Sequence, residues 1–72
     1  MSDEEHKYFY YLEVTIKKTF SSAIYEETGV IHSNSDDVIT NLKNKIVNKY
    51  LNEDGIKISY SDIFIKNINK LD

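Results

Sequence analysis

Seventy-two residues with a net charge of −3, 29% charged side chains and neither cysteine nor proline make one small domain with no disulfide, no thiolate metal site and no proline-rich linker. No apolar run approaches the ~20 residues needed to cross a bilayer. The opening Ser2-Asp3-Glu4-Glu5 is acidic, where a secretory signal needs a basic stretch and then an apolar one. A soluble, cytoplasmic protein is expected, and the absence of cysteine fits a reducing compartment.

The charge is unevenly spread. Residues 1–40 carry eight acids and three lysines, and residues 41–72 carry six lysines and four acids. All nine cations are lysine. Arginine is the preferred fork for phosphate and guanine edges, so a dedicated nucleic-acid reader is disfavoured.

In chain order, residues 1–6 read as a flexible acidic tail and residues 7–72 as a single α+β domain. From about residue 7 to 18, Tyr8, Tyr10, Leu12, Val14 and Ile16 fall on one parity, and Phe9, Tyr11, Glu13 and Thr15 on the other. This period of two, rich in aromatic and β-branched residues, predicts the central strand. Residues 17–22 lack a tight-turn dipeptide and predict a loop of about four residues. Residues 23–33 predict a second strand. Its apolar residues change parity around Gly29, which points either to a bulge there or to a strand buried on one face only near its ends.

Asn34-Ser35-Asp36-Asp37 predicts a helix start, with Ser35 as cap and the two aspartates at the positive end of the dipole. Val38, Ile39, Leu42, Ile46 and Tyr50 then recur at helical spacing to about residue 51, with Asn41, Lys45, Asn48 and Asn52 opposite. Gly55 can end the helix at positive φ. Ile56, Ile58 and Tyr60 alternate as a short extended segment would. The triplet Ile63-Phe64-Ile65 predicts a last strand over about 62–68, either buried on both faces or lying along a helix.

The expected fold is therefore a small ββαβ domain: a three-stranded antiparallel sheet in the order 2-1-3, with one helix packed on one face. The helix covers Tyr10, Leu12, Val14 and Ile16. No element remains to cover Phe9, Tyr11, Glu13 and Thr15.

Searches for chemistry return structural explanations. Gly29 and Gly55 are isolated, so no phosphate loop is present. His6 and His32 lie 26 positions apart with no metal spacing. Ser33 and Ser35 neighbour His32, but adjacent strand residues point to opposite faces, and a strand end plus a helix cap explains both. No catalytic residue, metal or cofactor is expected.

The aromatic run is the sharpest signal. Phe9 and Tyr11 on an uncovered face suit a binding surface, since tyrosine is enriched in interface hot spots. Glu13, Glu26, Glu27, Asp36 and Asp37, with Asp3, Glu4 and Glu5, suggest an acidic patch that would meet a basic groove on a partner. The expected partner-binding set is Phe9, Tyr11, Glu13, Glu26, Glu27, Asp36 and Asp37. A weaker alternative is a nucleic-acid grip through Lys43, Lys45 and Lys49 on the helix. A third is a homodimer through the open face.

Ile, Lys, Asn and Tyr supply 32 of the 72 residues. In this composition, small size, acidity and element order, the whole chain resembles the very small cytoplasmic proteins of phages and mobile elements in low-GC bacteria. Some of those inhibit host nucleases, including CRISPR effectors, by occupying a basic groove. The resemblance implies a non-catalytic, anti-CRISPR-like inhibitor that docks on a nucleic-acid-handling host protein.

Overall fold

The computed structural model describes residues 5–71. It contains β1 (His6–Lys17), β2 (Ser22–Ser33), α1 (Val38–Asp54), a single 3-10 turn (Tyr60–Asp62) and β3 (Ile63–Lys70). The sheet order is β2-β1-β3, and both pairings with β1 are antiparallel. The expected ββαβ fold is the one observed. Of the expected acidic tail, Glu5 precedes β1 and His6 already pairs with Ser33; Asp3 and Glu4 lie outside the described residues.

The strict alternation of β1 becomes a strict alternation of burial. Tyr8, Tyr10, Leu12, Val14 and Ile16 are buried, and Leu12 and Val14 are fully so. They pack beneath Val38, Leu42, Ile46 and Tyr50 of α1, with Ile31, Ile58 and Ile63 completing the core. The helix thus contributes one buried side chain per turn, which suits a chain that can build only one layer on its sheet.

The β1–β2 hairpin is regular over its whole length. Residues 18–21 form the expected four-residue loop, closed by a hydrogen bond from the Lys18 N–H to the Ser21 carbonyl (2.7 Å). From there the pairing runs unbroken from Lys17 opposite Ser22 to His6 opposite Ser33. There is no bulge at Gly29. Gly29 lies opposite Tyr10, and a Cβ on it would sit 2.8 Å from the Tyr10 hydroxyl and 3.0 Å from Cζ. The glycine is there to let a buried tyrosine ring lie over the backbone of β2. The expectation of burial near both ends holds at one end only: Ile31 and Ser33 are buried, while Ser22 and most residues between Ile24 and Val30 are exposed.

The bulge falls in β3 instead. Tyr11 pairs with Asn67 and Leu12 with Ile65, which leaves Lys66 as the extra residue. It brings Ile68 onto the inner face with Ile63 and Ile65, although its number has the other parity. Phe64 points outward and is 68% exposed, so the triplet is neither buried on both faces nor helical.

Two further local details differ from the sequence reading. Ser35 does not cap α1. The Asn34 side-chain oxygen accepts the Asp37 N–H (3.0 Å), and the helical ladder opens with the Asn41 N–H on the Asp37 carbonyl (2.8 Å). Asp36 and Asp37 therefore precede the helix, and its first turn holds no acid. At the other end the helix runs on to Asp54, and Gly55 takes the expected left-handed conformation (φ 66°). The Gly55 and Ile56 N–H groups there bond to the Leu51 and Tyr50 carbonyls. Residues 55–59 are irregular rather than a strand, but Ile58 is buried.

The molecule is elongated. Its radius of gyration is 13.3 Å, against about 11 Å for a compact chain of this length. It exposes 5085 Å², against about 4600 Å² for a compact monomer of this mass.

Gly29→Ala is expected to destabilise the fold by about 1–3 kcal/mol, because the new methyl group must displace a packed ring. Urea unfolding checks this. A neutral or stabilising result would show that the Tyr10 ring moves aside freely.

Candidate protein-binding face

The side of the sheet away from α1 is built by the parity that β1 does not bury. Phe9, Tyr11, Glu13 and Thr15 lie along its middle. The register sets Val30, Thr28, Glu26 and Ile24 beside them on β2, and Phe64 opposite Glu13 on β3. Among the described residues no element covers this face. Phe64 (68% exposed), Ile24 (62%) and Val30 (43%) are large apolar side chains left in water there. Phe9 and Tyr11 are partly covered by their neighbours.

Tyr11 is held at the centre. Its hydroxyl donates to the Glu26 carboxylate at 2.6 Å. That bond, then desolvation and the nearby charges of Glu26 and Glu13, raises its phenol pKa, so it remains a protonated donor. Glu13 and Glu26 are directly opposite each other in the β1–β2 register, an arrangement in which like charges repel. The Lys66 ammonium lies 3.7 Å from Glu13 and 5.4 Å from the centre of the Phe64 ring. The centre of the face is therefore a tyrosine with two carboxylates and a lysine nearby, and around it Phe9, Val30, Ile24 and Phe64 are interspersed with Thr15, Thr28, Asn67 and Asn69.

Four of the expected binding residues, Phe9, Tyr11, Glu13 and Glu26, are brought together. The other three are not. Glu27 faces the opposite side of the sheet. It accepts hydrogen bonds from the Lys49 ammonium (2.7 Å) and the Tyr50 hydroxyl (2.8 Å). Asp36 and Asp37 sit in the turn before α1. A single acidic patch that joins Glu26 to Glu27 does not exist, because neighbouring strand residues face opposite ways.

The lysines of the alternative reading are also separated. Lys45 and Lys49 lie on the flank of α1 that leans over β2. Lys45 donates to the Val30 carbonyl (3.3 Å) and sits 5.6 Å from the Tyr10 ring centre. Lys43 lies on the other flank, in an open groove of about 500 Å³ with Ile39, Tyr60, Ile63, Phe64 and Ile65. Asn41 donates to the buried Ser33 hydroxyl (2.7 Å), which itself donates to the Asn34 carbonyl (2.9 Å). Asn41 and Lys45 are exposed, as expected of the side of α1 away from its apolar stripe, and their long side chains reach from there to the sheet. Ser33 is part of this polar seam between helix and sheet, and it points away from His32, which lies 3.7 Å from Glu5.

The sequence reading missed Ile24, Val30, Phe64 and Lys66. A signal for the first two was present. Once a four-residue loop follows Lys17, antiparallel pairing puts Ile24 beside Thr15 and Val30 beside Phe9. Phe64 follows from alternation once Ile63 and Ile65 are known to face inward, whereas Lys66 depended on the β3 bulge, which no glycine marks.

No family model, no curated protein and no solved structure matches the chain. Among the described residues no three His, Cys, Asp or Glu side chains are grouped as metal ligands would be, and no helix is long and apolar enough to cross a membrane.

The Glu27 network ties the helix to the sheet and has a pH signature. Burial works to raise the Glu27 pKa, but the hydrogen bonds from Lys49 and Tyr50 and the Lys49 charge outweigh it, and the pKa ends below the usual value. Asp62 is also lowered, mainly by the Ser59 N–H. The folded state therefore binds fewer protons than the unfolded one. The stability these groups contribute is complete above the ordinary carboxylate range, near pH 4, and is lost as pH falls through the lower folded values. Urea midpoints should fall from pH 6 to pH 3, and Glu27→Gln should flatten that fall. An unaltered acid dependence in the variant would remove Glu27 from the account.

Proposed function

We propose that this chain is a non-catalytic binding protein that docks the open face of its sheet on another protein. The single observation that carries the reading is the exposure of Phe64, Ile24 and Val30 around Tyr11 on a face that no described element covers. Several large apolar side chains left exposed on one uncovered face are the kind of surface that marks an interaction site. Tyr11 is suited to be the anchor, being large, rigid and equipped with a hydroxyl.

The central carboxylates favour a partner with basic side chains. A cation brought between Glu13 and Glu26 relieves the repulsion across the strands, and complementary charge also speeds the encounter. Inhibition of a nucleic-acid-handling host protein is the finer form of this reading: side-by-side carboxylates would occupy a groove made for phosphates. Nucleic-acid binding through Lys43, Lys45 and Lys49 gains no comparable support, since the three amines lie on two flanks and two of them are engaged within the chain.

The test is affinity capture with tagged protein in the presence of nuclease, followed by titration of the captured protein against variants. Tyr11→Ala should weaken binding at least about fivefold, the usual threshold for a contributing interface residue, with no change in the thermal melt. Lys43→Ala should bind as the parent does. Equal affinities for Tyr11→Ala and the parent would overturn the assignment of this face.

A further inference from the structure

The two edges of the sheet are built differently. β3 carries the features that keep an edge from pairing with another chain: it is short at 8 residues, has a bulge, and bears Lys66 and Lys70. β2 has no bulge and no lysine of its own; its charges are Glu26 and Glu27, and the Lys45 ammonium of α1 reaches the Val30 carbonyl at its edge. It runs 12 residues without proline. The backbone groups on its free edge can be assigned. The Leu71 N–H bonds to the Lys7 carbonyl on the β3 side of β1, and the Lys18 N–H bonds to Ser21 on the β2 side. Alternation then turns the even residues of β1 toward β2. By register, the odd residues of β2 bond to β1, and the even ones, Ser22 to His32, point their N–H and C=O groups outward. The Lys45 bond to the Val30 carbonyl agrees with this.

We propose that the free edge of β2 pairs antiparallel with the β2 edge of a second copy of this chain, around a two-fold axis at Thr28, to form a continuous six-stranded sheet. The choice of a second copy rests on self-complementarity. Only two two-fold registers join outward-pointing groups over eleven residues of each strand. One sets the two Glu27 side chains directly opposite each other, which like charges disfavour. The other sets Thr28 opposite Thr28, Glu26 opposite Val30, Ile24 opposite His32 and Tyr25 opposite Ile31, with no like-charge pair. Matched threonines and apolar pairs stabilise such ladders. On the helix side of the same register, Glu27 lies opposite Gly29 of the second copy. Gly29 has no side chain, and Lys45 of that copy reaches the adjoining Tyr10 ring and Val30 carbonyl. The Glu27 carboxylate, held by Lys49 and Tyr50 of its own chain, therefore faces no like charge across the axis. Eleven residues at about 3.4 Å each make a contact about 37 Å long. The partly exposed Ile24, Tyr25 and Val30 are drawn into it.

This dimer uses the edge of β2 and stands independently of the partner assigned to the open face. In it, the two open faces lie side by side on one sheet.

The chain has no cysteine, so single-cysteine variants report the register directly. In a hydrogen-bonded antiparallel pair the Cα atoms are about 5.5 Å apart, within disulfide range. Thr28→Cys should oxidise to a covalent dimer in air, whereas Glu26→Cys, offset from its own copy by four residues or about 14 Å, should not. Thr28→Pro removes an N–H that the monomer does not use. It should keep the parent's circular dichroism and sediment as a monomer at a concentration where the parent is a dimer. A monomeric parent at millimolar concentration, crosslinking of Glu26→Cys, failure of Thr28→Cys to crosslink, or a folded Thr28→Pro that remains dimeric would each overturn the proposal.

Discussion

The alternation of side chains along β1 is the constraint on which the rest of the molecule depends. A strand presents its residues to two faces in turn, and this chain has one helix to cover them. Burying Tyr8, Tyr10, Leu12, Val14 and Ile16 beneath α1 consigns Phe9, Tyr11, Glu13 and Thr15 to the other side. The hairpin register extends this choice to β2 without exception, because twelve consecutive pairs leave no slip in which parity could change. The open face is thus the necessary complement of the core, and its apolar content is what requires explanation. A soluble monomer could place threonine or lysine at the positions of Ile24, Val30 and Phe64 without touching a core residue.

The position of the helix is the second determinant. The α1–sheet interface is apolar in the middle and polar along one side only. Asn41 on Ser33, Lys45 on Val30, and Lys49 and Tyr50 on Glu27 form a line of bonds that draws the helix toward β2. No such line exists on the β3 flank among the described residues, and an apolar groove remains there beside Ile39 and Tyr60. The Glu27 carboxylate is the strongest member of the seam. It is largely covered, carries a paired ammonium and accepts a phenol, so removing it would take the acceptor from the hydroxyl of the buried Tyr50, while the more exposed Lys49 ammonium turns to water. The same bonds carry Lys45 and Lys49 away from Lys43.

Most of the fold was legible because its signals are local and periodic. The alternation of β1, the helical spacing from Val38 to Tyr50, the four-residue loop and the terminating Gly55 each announce themselves within a few residues. The strand order followed from having only one long central strand to pair against. What was not legible depended on contacts across the sheet. Gly29 resembles a bulge in sequence and is instead the seat of the Tyr10 ring, a role visible only once Tyr10 is known to lie opposite. The real bulge at Lys66 has no marker, because an unpaired lysine looks like any other lysine. Ser35 does not cap because the helix starts later than its sequence suggests: Asp37 is the N-cap residue, without a side-chain bond to the helix, and Asn34 instead closes the turn before it. The candidate site inherits this division. Phe9, Tyr11 and Glu13 could be read from one strand, Glu26 and Glu27 could be told apart only by register, and Lys66 only by the bulge.

The pairing of Glu13 with Glu26 shows how the open face differs from the polar seam on the other side. In the seam each charged group has a partner at hydrogen-bond distance, and the network is complete within the chain. On the open face two carboxylates stand opposite each other, one occupied by a phenol and the other 3.7 Å from a lysine that also leans on Phe64. Solvent screens such a pair well enough for the fold to tolerate it. The tolerance ends when water is excluded. If an apolar surface covered Phe9, Ile24, Val30 and Phe64, the two carboxylates would lose their hydration and their mutual repulsion would grow. A purely apolar partner, or a second open face bearing the same two acids, would therefore be penalised at the centre, while one that brings an ammonium or guanidinium to that point would be rewarded there. Phe9, Ile24, Val30 and Phe64 supply area, and the pair of acids decides what may cover it.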